Sequence, residues 1–374
     1  MSRVHHGMTR KFIPPIAARS SRVHRTVVPF EDRTGLMRMD RNEDVIGWEE
    51  DRLQEVLRQI DPTDLAAYHD ADHVQAQIAQ WLNVDPENVA ITAGSSEAVQ
   101  LVFETYLDEG GVVIALHPSY GLYEVFAAKC GGEIRSISFD DKLQIDVEAI
   151  AETIRGHSPS LVVIANPNQP TGSVLEIEDL RLLAEESMAV GAILLVDEAY
   201  SLFTPITALP LVGEFANVVV TQTFSKALGL AGLRFGYCVG DSDRIVEINK
   251  LRPLTQSNSL ALVIAEYVLD NLDWALGRVA KVIEGREYLI ARFREMGFVT
   301  FDSHTNFVLL ECASLQDAQE LVNEIRGRDF AIRGPLRGYP VDKFVRITVA
   351  APAIMQRFLT QNEESLRMHA RTFE

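Results

Sequence analysis

Three stretches of the sequence decide the fold: LVVIANPNQPTG at residues 161–172, ILLVDEAY at residues 193–200 and VVVTQTFSK at residues 218–226. Each begins with a short run of aliphatic residues and ends in polar ones. Continuous apolar runs of this length are typical of strands that are buried on both faces, as in a parallel sheet covered by helices. Similar runs occur at residues 89–92 and 112–116. The sequence therefore predicts a mostly parallel central sheet.

The segments between these runs have helical periodicity. Within residues 178–190, for example, Leu180, Leu183, Ala184 and Met188 recur at the spacing that places them on one face of a helix. Strands that alternate with such helices indicate βαβ units and an α/β fold. We therefore predict a three-layer αβα large domain with a mostly parallel sheet at residues 50–260.

The pattern changes after residue 260. Residues 260–296 are helical in periodicity, and two strand-like runs at 306–311 and 344–349 follow, with a helical segment at 315–326 between them. This order predicts a smaller α+β domain at residues 261–374. We expect the N-terminal segment, residues 1–49, to complete it, with residues 1–26 as a solvated arm.

Composition excludes several functions. The chain carries 35 Lys and Arg against 53 Asp and Glu, a net charge of −18. A field of that sign repels nucleic-acid phosphates and anionic lipid, so we expect no nucleic-acid or membrane partner. No apolar run is long enough to span a bilayer. The three cysteines lie far apart, which argues against a disulfide framework and a cysteine-built zinc site and favours a reducing, cytoplasmic location.

Polar side chains follow three successive predicted strands. Asn166, Asp197 and Lys226 each stand about one βα unit from the next. Because ligands bind at the carboxyl ends of strands in such sheets, we expect these side chains to meet at one edge. The sequence TAGSSEAV at residues 92–99 adds Ser95 and Ser96 near the start of a predicted helix, where backbone N–H groups bind anions.

Each of these residues alone also has a structural interpretation. Asn166 suits a turn, Asp197 suits a helix cap, and a lone lysine is usually solvated. Together with Arg234, however, they form a set of an amine, a carboxylate and an anion site. Pyridoxal phosphate needs such a set: an amine for a Schiff base, a carboxylate for its ring nitrogen, and hydrogen-bond donors for its phosphate.

The motifs that carry these residues resemble those of a known family. They are TAGSSEAV, HPSYGLYEVFAAKCGGE at 117–133, NPNQPTG at 166–172, LLVDEAY at 194–200, TFSKALGLAGLRFGY at 223–237 and VRITVAAP at 345–352. The chain resembles fold-type I pyridoxal-phosphate enzymes of the class I/II aminotransferase family. Its pattern is nearest to the histidinol-phosphate aminotransferase branch.

The resemblance implies a role for each matching residue. Lys226 would form the Schiff base and move the proton at the substrate α-carbon, and Asp197 would pair with the ring nitrogen. Asn166 and Tyr200 would hydrogen-bond the phenolic oxygen, while Tyr120 would stack on the ring. The residues implied to hold the phosphate are Ser95, Ser96, Ser225 and Arg234.

The resemblance also implies substrate and subunit contacts. Arg346 would bind the substrate α-carboxylate, Arg333 a more distant anionic group, and Asn42 is a further candidate for the substrate side. Tyr68 matches a tyrosine that reaches the phosphate of the neighbouring subunit, which implies a homodimer with shared sites. Tyr123 is expected to be a packing aromatic, and no metal site is expected.

Departures from the branch pattern leave the substrate open. Residues 39–45, MDRNEDV, lack the expected proline, Tyr68 is followed by His69 rather than proline, and no tyrosine precedes Asp40. We predict transamination between an amino acid, or an amino-alcohol phosphate, and a 2-oxo acid. Decarboxylation, elimination or cyclisation on the same scaffold remains the alternative, since sequence does not show which bond at the α-carbon is broken.

Overall fold

The computed structural model describes residues 18–23, 32–253 and 257–373. Its strands are β1 (Met37–Met39), β2 (Val89–Thr92), β3 (Val112–His117), β4 (Glu133–Ser138), β5 (Leu161–Ala165), β6 (Ile193–Asp197), β7 (Val218–Thr223), β8 (Gly236–Gly240), β9 (Phe307–Glu311), β10 (Phe330–Ile332) and β11 (Phe344–Thr348). Its helices are α1 (Ala18–Ser21), α2 (Glu50–Leu57), α3 (Pro62–Ala66), α4 (Asp72–Leu82), α5 (Ser95–Tyr106), α6 (Leu122–Cys130), α7 (Val147–His157), α8 (Ile177–Ala189), α9 (Leu209–Val212), α10 (Ser242–Asn249), α11 (Ser259–Asp270), α12 (Leu272–Glu295), α13 (Leu315–Arg326) and α14 (Pro352–His369).

Seven strands form the central sheet, in the order β2-β8-β7-β6-β5-β3-β4. Neighbouring strands from β7 through β4 are parallel, whereas β8 is antiparallel to both β7 and β2. The sheet is therefore mostly parallel, as predicted. The parallel strands β5, β6 and β7 are adjacent, so their carboxyl ends share one edge, where a ligand site is expected.

Helices cover both faces of this sheet. Successive residues of a strand point to opposite faces. Accordingly, Val162 and Ile164 of β5 pack in the core with α4, α7, α8 and α11, while Leu161 and Val163 pack in a second core with α5, α6 and α10. Each such fully buried aliphatic side chain contributes about 1.5–3 kcal/mol to folding. The three-layer αβα arrangement is confirmed, because the β5 residues alternate between two buried cores.

A separate hydrophobic core lies in the C-terminal part of the chain. Side chains of α12, α13, α14, β9 and β11 form it, and Met39 of the N-terminal strand β1 is buried in it. The strand β1 pairs in parallel with β10, and β9 pairs with β11 in antiparallel orientation. The N-terminal segment thus contributes to the smaller α+β body. The division at residues 49/50 and 260/261 stays a prediction.

The predicted helical stretch at 260–296 consists of two helices rather than one. Asn271 separates α11 from α12 with backbone angles of φ −122° and ψ 37°, outside the helical range. Helix α12 then lies close against the chain that follows β11. A side chain at Gly285 would place its Cβ 1.7 Å from the carbonyl oxygen of Ala350, so only glycine permits this approach.

Other element predictions differ from the structure by at most two residues, and four strands were not predicted. Helix α5 begins at Ser95, two residues before the predicted start. The four strands, β1, β4, β8 and β10, lack a long apolar run; β4 lies at the edge of the central sheet, whereas β8 lies inside it. No helix among the described residues is long and apolar enough to cross a membrane. Most of the predicted arm at residues 1–26 lies outside the described residues.

Candidate active site

A cavity of about 310 Å³ lies at the carboxyl ends of β5, β6 and β7, beside the start of α5. Eight of the ten residues that the resemblance assigns to the cofactor line it: Ser95, Ser96, Tyr120, Asp197, Tyr200, Ser225, Lys226 and Arg234. Because these residues come from separate βα units, their convergence follows from the parallel order of the strands. The edge predicted from sequence is therefore the edge where the cavity forms.

Lys226 follows β7 and stands on the wall of this cavity. It also lines a neighbouring cavity of about 250 Å³ between the N-terminal segment and α12. Its Nζ donates a hydrogen bond to the backbone carbonyl of Arg41 at 3.3 Å. Burial, together with the charges of Arg346 and Arg234, lowers the pKa of Lys226 to about 8, and the Glu43 carboxylate opposes this shift. A lysine with such a pKa has an available lone pair near neutral pH, as a nucleophile requires.

Asp197 ends β6 and is buried at 5% exposure. Its carboxylate accepts hydrogen bonds from the hydroxyls of Tyr123, at 2.8 Å, and Thr221, at 3.1 Å. Burial raises the pKa of Asp197, and these two hydrogen bonds oppose the rise. Within the described part of the chain, the carboxylate pairs with hydroxyls and with no cation. A buried carboxylate of this kind is suited to a protonated ring nitrogen from a ligand.

Tyr123 was predicted to be a packing aromatic, and this prediction is incomplete. The ring does pack, with its centroid 5.5 Å from that of Tyr120, but its hydroxyl is bound to Asp197. Burial and the neighbouring Asp197 charge raise the pKa of Tyr123, which keeps the hydroxyl protonated and able to donate. Its position three residues after Tyr120, in the first turn of α6, was the signal that sequence offered.

The other end of the cavity carries a guanidinium with no acidic partner in the described part of the chain. Arg234 bonds to the Ser225 hydroxyl at 3.2 Å and to the carbonyls of Ala231 and Ala93, and none of these partners is acidic. A Cβ at Gly94 would come within 2.7 Å of the Arg234 guanidinium, so glycine is needed where this group crosses the start of α5. The guanidinium, the α5 N-terminus and nearby serine hydroxyls together make an anion site.

Asn166, which the resemblance assigns to the cofactor, is not among the residues that line the cavity. Its side chain is 1% exposed and bonds the backbone of Leu175 twice, donating to the carbonyl at 3.1 Å and accepting from the amide at 2.8 Å. It therefore braces the turn after β5. Gln169, three residues later, lines the cavity instead and accepts a hydrogen bond from the Tyr200 hydroxyl at 3.2 Å. The sequence prediction selected Asn166, the polar residue nearest the end of β5. The turn that follows places Gln169 on the cavity wall.

Tyr200 and Asn42 are in direct contact. The side-chain amide of Asn42 donates to the Tyr200 hydroxyl at 2.8 Å. Burial raises the pKa of Tyr200 to about 12, so its hydroxyl is neutral at physiological pH. Asn42 itself is 1% exposed and does not line the cavity. Asn42 was predicted to be a substrate-side residue, and the structure places it behind Tyr200.

Two arginines stand side by side in the smaller body. Arg333 and Arg346 exchange two backbone hydrogen bonds, of 3.0 and 2.7 Å, so they face each other as a cross-strand pair. Arg346 is buried and lies 5.3 Å from the Phe307 ring centroid. Its Nη2 donates to the Asp40 carbonyl at 3.2 Å, whereas its Nε has no hydrogen-bond partner among the described residues. Burial lowers its pKa, and the nearby Arg333 charge adds to the shift. A buried guanidinium that still has an N–H group free to donate is suited to a carboxylate or phosphate.

Acidic residues lie beside this pair, on the N-terminal segment. Arg33 bonds Asp40 at 3.0 Å and Glu43 at 3.1 Å, so it neutralises part of their charge. Glu43 also lines the cavity near Lys226. Tyr68, in contrast, lies outside the cavity and is 86% exposed. The cavity mouth therefore carries charges of both signs.

These features fit pyridoxal phosphate. Among the described residues, the buried carboxylate has no cationic partner and the guanidinium at the α5 N-terminus has no acidic one, and a lysine of lowered pKa lies on the same cavity wall. The cofactor's ring nitrogen, phosphate and aldehyde are the groups that such residues bind. The fold and this site define a pyridoxal-phosphate enzyme of fold type I.

Comparison with known proteins gives the family. The chain belongs to the aminotransferase class I and II family, whose model matches residues 47–358. It is similar to histidinol-phosphate aminotransferase 1 of Carboxydothermus hydrogenoformans, with 30% identity over 88% of this chain and 93% of the relative. The corresponding enzyme of Chlorobium luteolum is 35% identical over 70% of this chain and 72% of its own. The chain is thus a pyridoxal-phosphate-dependent aminotransferase.

Solved structures agree with this assignment. The crystal structure of histidinol-phosphate aminotransferase from Sinorhizobium meliloti in complex with pyridoxal-5'-phosphate matches with a TM-score of 0.80 and 25% identity, over 88% of this chain and 91% of that one. An L-threonine-O-3-phosphate decarboxylase from Porphyromonas gingivalis matches with a TM-score of 0.73 and 22% identity, over 88% and 99%. The second likeness shows the fold alone.

We expect the pKa of Lys226 to fall when Glu43 is made neutral. In Glu43→Gln the anion that favours the charged ammonium is lost, so the titration midpoint moves below about 8. Carbon-13 NMR of the reductively methylated apoprotein would measure it, with the signal assigned by Lys226→Arg. Glu50→Gln, an exposed site on α2, is the matched control and should leave the midpoint unchanged. A midpoint that rises in Glu43→Gln would contradict the assigned electrostatics.

Proposed function

We propose that this aminotransferase acts on an amine that carries a distal anionic group, a phosphate or a carboxylate, and passes the amino group to a 2-oxo acid. The relatives with histidinol-phosphate aminotransferase names make L-histidinol phosphate the first candidate. The observation that carries the proposal is the Arg333 and Arg346 pair. Two guanidiniums on facing positions, one of them buried with an Nε that has no partner among the described residues, form a site for a dianion or for two anionic groups.

The cavity residues divide into roles according to their chemistry. When bound, pyridoxal phosphate supplies an electron sink that stabilises negative charge at the substrate α-carbon. Lys226 would hold the cofactor covalently and then accept and return the α-proton at its Nζ. Asp197, held by two hydroxyls, would keep the ring nitrogen protonated. Tyr200 and Gln169 would contact the phenolic oxygen, and Tyr120 would cover the ring face.

The phosphate of the cofactor would be bound at the start of α5. Arg234 would supply the charge, and Ser95, Ser96 and Ser225 would add hydroxyl donors. Arg346 would orient the substrate through its anionic group, with Arg333 as the outer contact. Because Arg333 is exposed and Arg346 is buried, the outer arginine would set preference for substrate length and charge, and the inner one would set orientation.

An amino-donor panel with 2-oxoglutarate as acceptor tests this proposal. The donors are L-histidinol phosphate, L-histidinol, L-aspartate and L-arginine. We expect kcat/KM for L-histidinol phosphate to exceed that for L-histidinol by about a hundredfold, since charge-assisted hydrogen bonds to guanidinium are lost with the phosphate. Arg333→Ala should reduce the rate with L-histidinol phosphate and leave the rate with L-histidinol unchanged. Arg337→Ala, exposed in the same loop, is the control.

Other outcomes of the panel overturn the proposal. Equal rates with and without the phosphate, or a preference for L-arginine, would show that the arginine pair does not select the donor. Release of carbon dioxide, or loss of water without amino transfer, would point to the alternative chemistry on the same scaffold.

We also propose that the enzyme is a homodimer with shared sites and that it works in the cytoplasm. Leu57 on α2, Leu65 on α3 and Tyr68 just beyond α3 expose 46%, 71% and 86% of their surface within one short stretch. Clustered exposed apolar side chains of this kind are typical of interfaces. Tyr68 would then reach the neighbouring cofactor phosphate. Three free cysteines agree with a reducing compartment.

The dimer is tested by sedimentation of the wild type and of Leu65→Asp. The wild type should sediment with twice the chain mass of 41.7 kDa. We expect Leu65→Asp to sediment as a monomer and to lose most of its activity, because a buried unpaired charge destabilises an interface. Leu315→Asp, an equally apolar exposed position on α13, should leave the mass unchanged. A wild-type monomer with full activity would contradict shared sites.

A further inference from the structure

Asn42 connects three parts of the molecule through its hydrogen bonds. Its side chain donates to Tyr200, at the end of β6. Its backbone amide donates to the Thr348 hydroxyl at 3.0 Å, and this hydroxyl donates back to Asn42 Oδ1 at 3.3 Å. Its carbonyl accepts from the side chain of Asn306 at 3.1 Å. Thr348 ends β11, the strand that carries Arg346, so the substrate-binding strand and the cofactor-binding sheet meet at this residue.

The hydrogen bonds around Asn42 have a defined direction. Because Thr348 donates to Oδ1, the amide of Asn42 is oriented with its Nδ2 toward Tyr200. Because Nδ2 donates to the Tyr200 oxygen, the Tyr200 proton is directed to its acceptor, Gln169 Oε1, at 3.2 Å. The four residues Thr348, Asn42, Tyr200 and Gln169 are buried or half-buried, so water does not compete strongly with these bonds.

The backbone of Asn42 is held in an unusual conformation. Its φ is +56°, a left-handed value that residues other than glycine, asparagine and aspartate rarely adopt. The flanking residues reach the cavity: the Arg41 carbonyl accepts from Lys226 Nζ, and Glu43 lines the wall. Asn42 itself is not among the residues that line the cavity, and its backbone amide, its carbonyl and its side chain are all hydrogen-bonded within the protein. This arrangement serves to hold neighbouring groups rather than to contact substrate.

We propose that Asn42 is a positioning residue that sets the hydrogen-bond direction of the Tyr200 hydroxyl and couples it to the substrate-binding strand β11 through Thr348. The inference rests on the proposed function, in which Tyr200 contacts the cofactor. Removing the Asn42 side chain leaves the Tyr200 hydroxyl free to rotate. The cofactor then dissociates faster and kcat falls, while the affinity for the amino donor is largely kept.

A double-mutant cycle with the holoenzyme tests this inference. Asn42→Gly removes the side chain and keeps the left-handed backbone, because glycine adopts it freely. We expect this variant to lose pyridoxal phosphate three- to tenfold faster on dilution, followed by visible absorption, and to show a fall in kcat of about tenfold with KM nearly unchanged. Asn83→Gly is the matched control, since Asn83 has the same φ of +56° at the end of α4, away from the site.

The partner variants identify the route of the effect. If Asn42 acts through the Tyr200 hydroxyl, the double variant Asn42→Gly/Tyr200→Phe should lose cofactor within twofold of the rate of Tyr200→Phe alone. Thr348→Val should resemble Asn42→Gly, and Thr348→Ser, which keeps the hydroxyl, should resemble the wild type. This pair preserves the test if Asn42→Gly does not fold.

Specific results would overturn the inference. Additive effects in the double variant would show that Asn42 acts independently of the Tyr200 hydroxyl. Equal impairment of Thr348→Ser and Thr348→Val would show that the Thr348 hydroxyl has no part. The rate of cofactor loss needs no substrate, so a failed donor panel rejects the proposed substrate class without deciding this inference.

Discussion

Replacing Lys226 by alanine should reduce amino transfer by about ten-thousandfold or more, the largest effect expected in this protein. The side chain is the one amine that the described residues place on the cavity wall, and its lowered pKa of about 8 makes it both a nucleophile and a proton acceptor near neutral pH. Its loss removes both roles at once. Stopped-flow or coupled assays of transfer from L-glutamate or L-histidinol phosphate would measure the decrease.

The matched controls separate chemistry from folding. Lys226→Arg keeps a positive charge but offers no comparable nucleophile, and it should be nearly as inactive as the alanine variant. Lys250→Ala removes an exposed lysine that pairs with Glu247 on α10, and it should be fully active. After borohydride treatment the wild type should retain the cofactor covalently, whereas Lys226→Ala should release it. An alanine variant with substantial activity would assign the chemistry to another amine.

Asp197→Asn should lower kcat by about a hundred- to a thousandfold. The carboxylate is buried, and removing one partner of a buried ion pair typically costs about 3–5 kcal/mol. Asparagine has nearly the same volume, its Oδ1 can accept from one of the Tyr123 and Thr221 hydroxyls, and its Nδ2 can donate to the oxygen of the other, so the fold should persist. The variant would bind the cofactor but would not hold its ring nitrogen protonated. Steady-state kinetics together with the thermal unfolding midpoint would measure both effects.

Asp241→Asn provides the matched control for this substitution. Asp241 also follows a buried strand, β8, but it caps α10 by accepting from the backbone amide of Asp243. Asparagine caps helices as well as aspartate does, so activity and stability should be unchanged. Should Asp197→Asn keep wild-type kcat, the buried carboxylate would have a structural role alone.

Particular residues show how far sequence reasoning reaches in this protein. The strand runs at residues 193–197 and 218–221 placed Asp197 and Lys226 correctly, because carboxyl ends of adjacent parallel strands must share an edge. The position of a residue at a strand end does not by itself predict where the Asn166 side chain points. Two residues of the same turn, Asn166 and Gln169, have similar amide side chains, and only the path of the turn decides which one faces the cavity.

The sequence by itself therefore determined the α/β class and most of the alternation of strands and helices, since these depend on local periodicity, and its family motifs named eight residues that line the cavity. Tertiary structure alone decided that Tyr123 bonds to Asp197, that Gln169 bonds to the Tyr200 hydroxyl, and that Asn42 lies behind Tyr200. These contacts join residues that lie far apart in the chain. Their formation depends on how whole elements pack, and no local pattern records the partner of a side chain across such a distance.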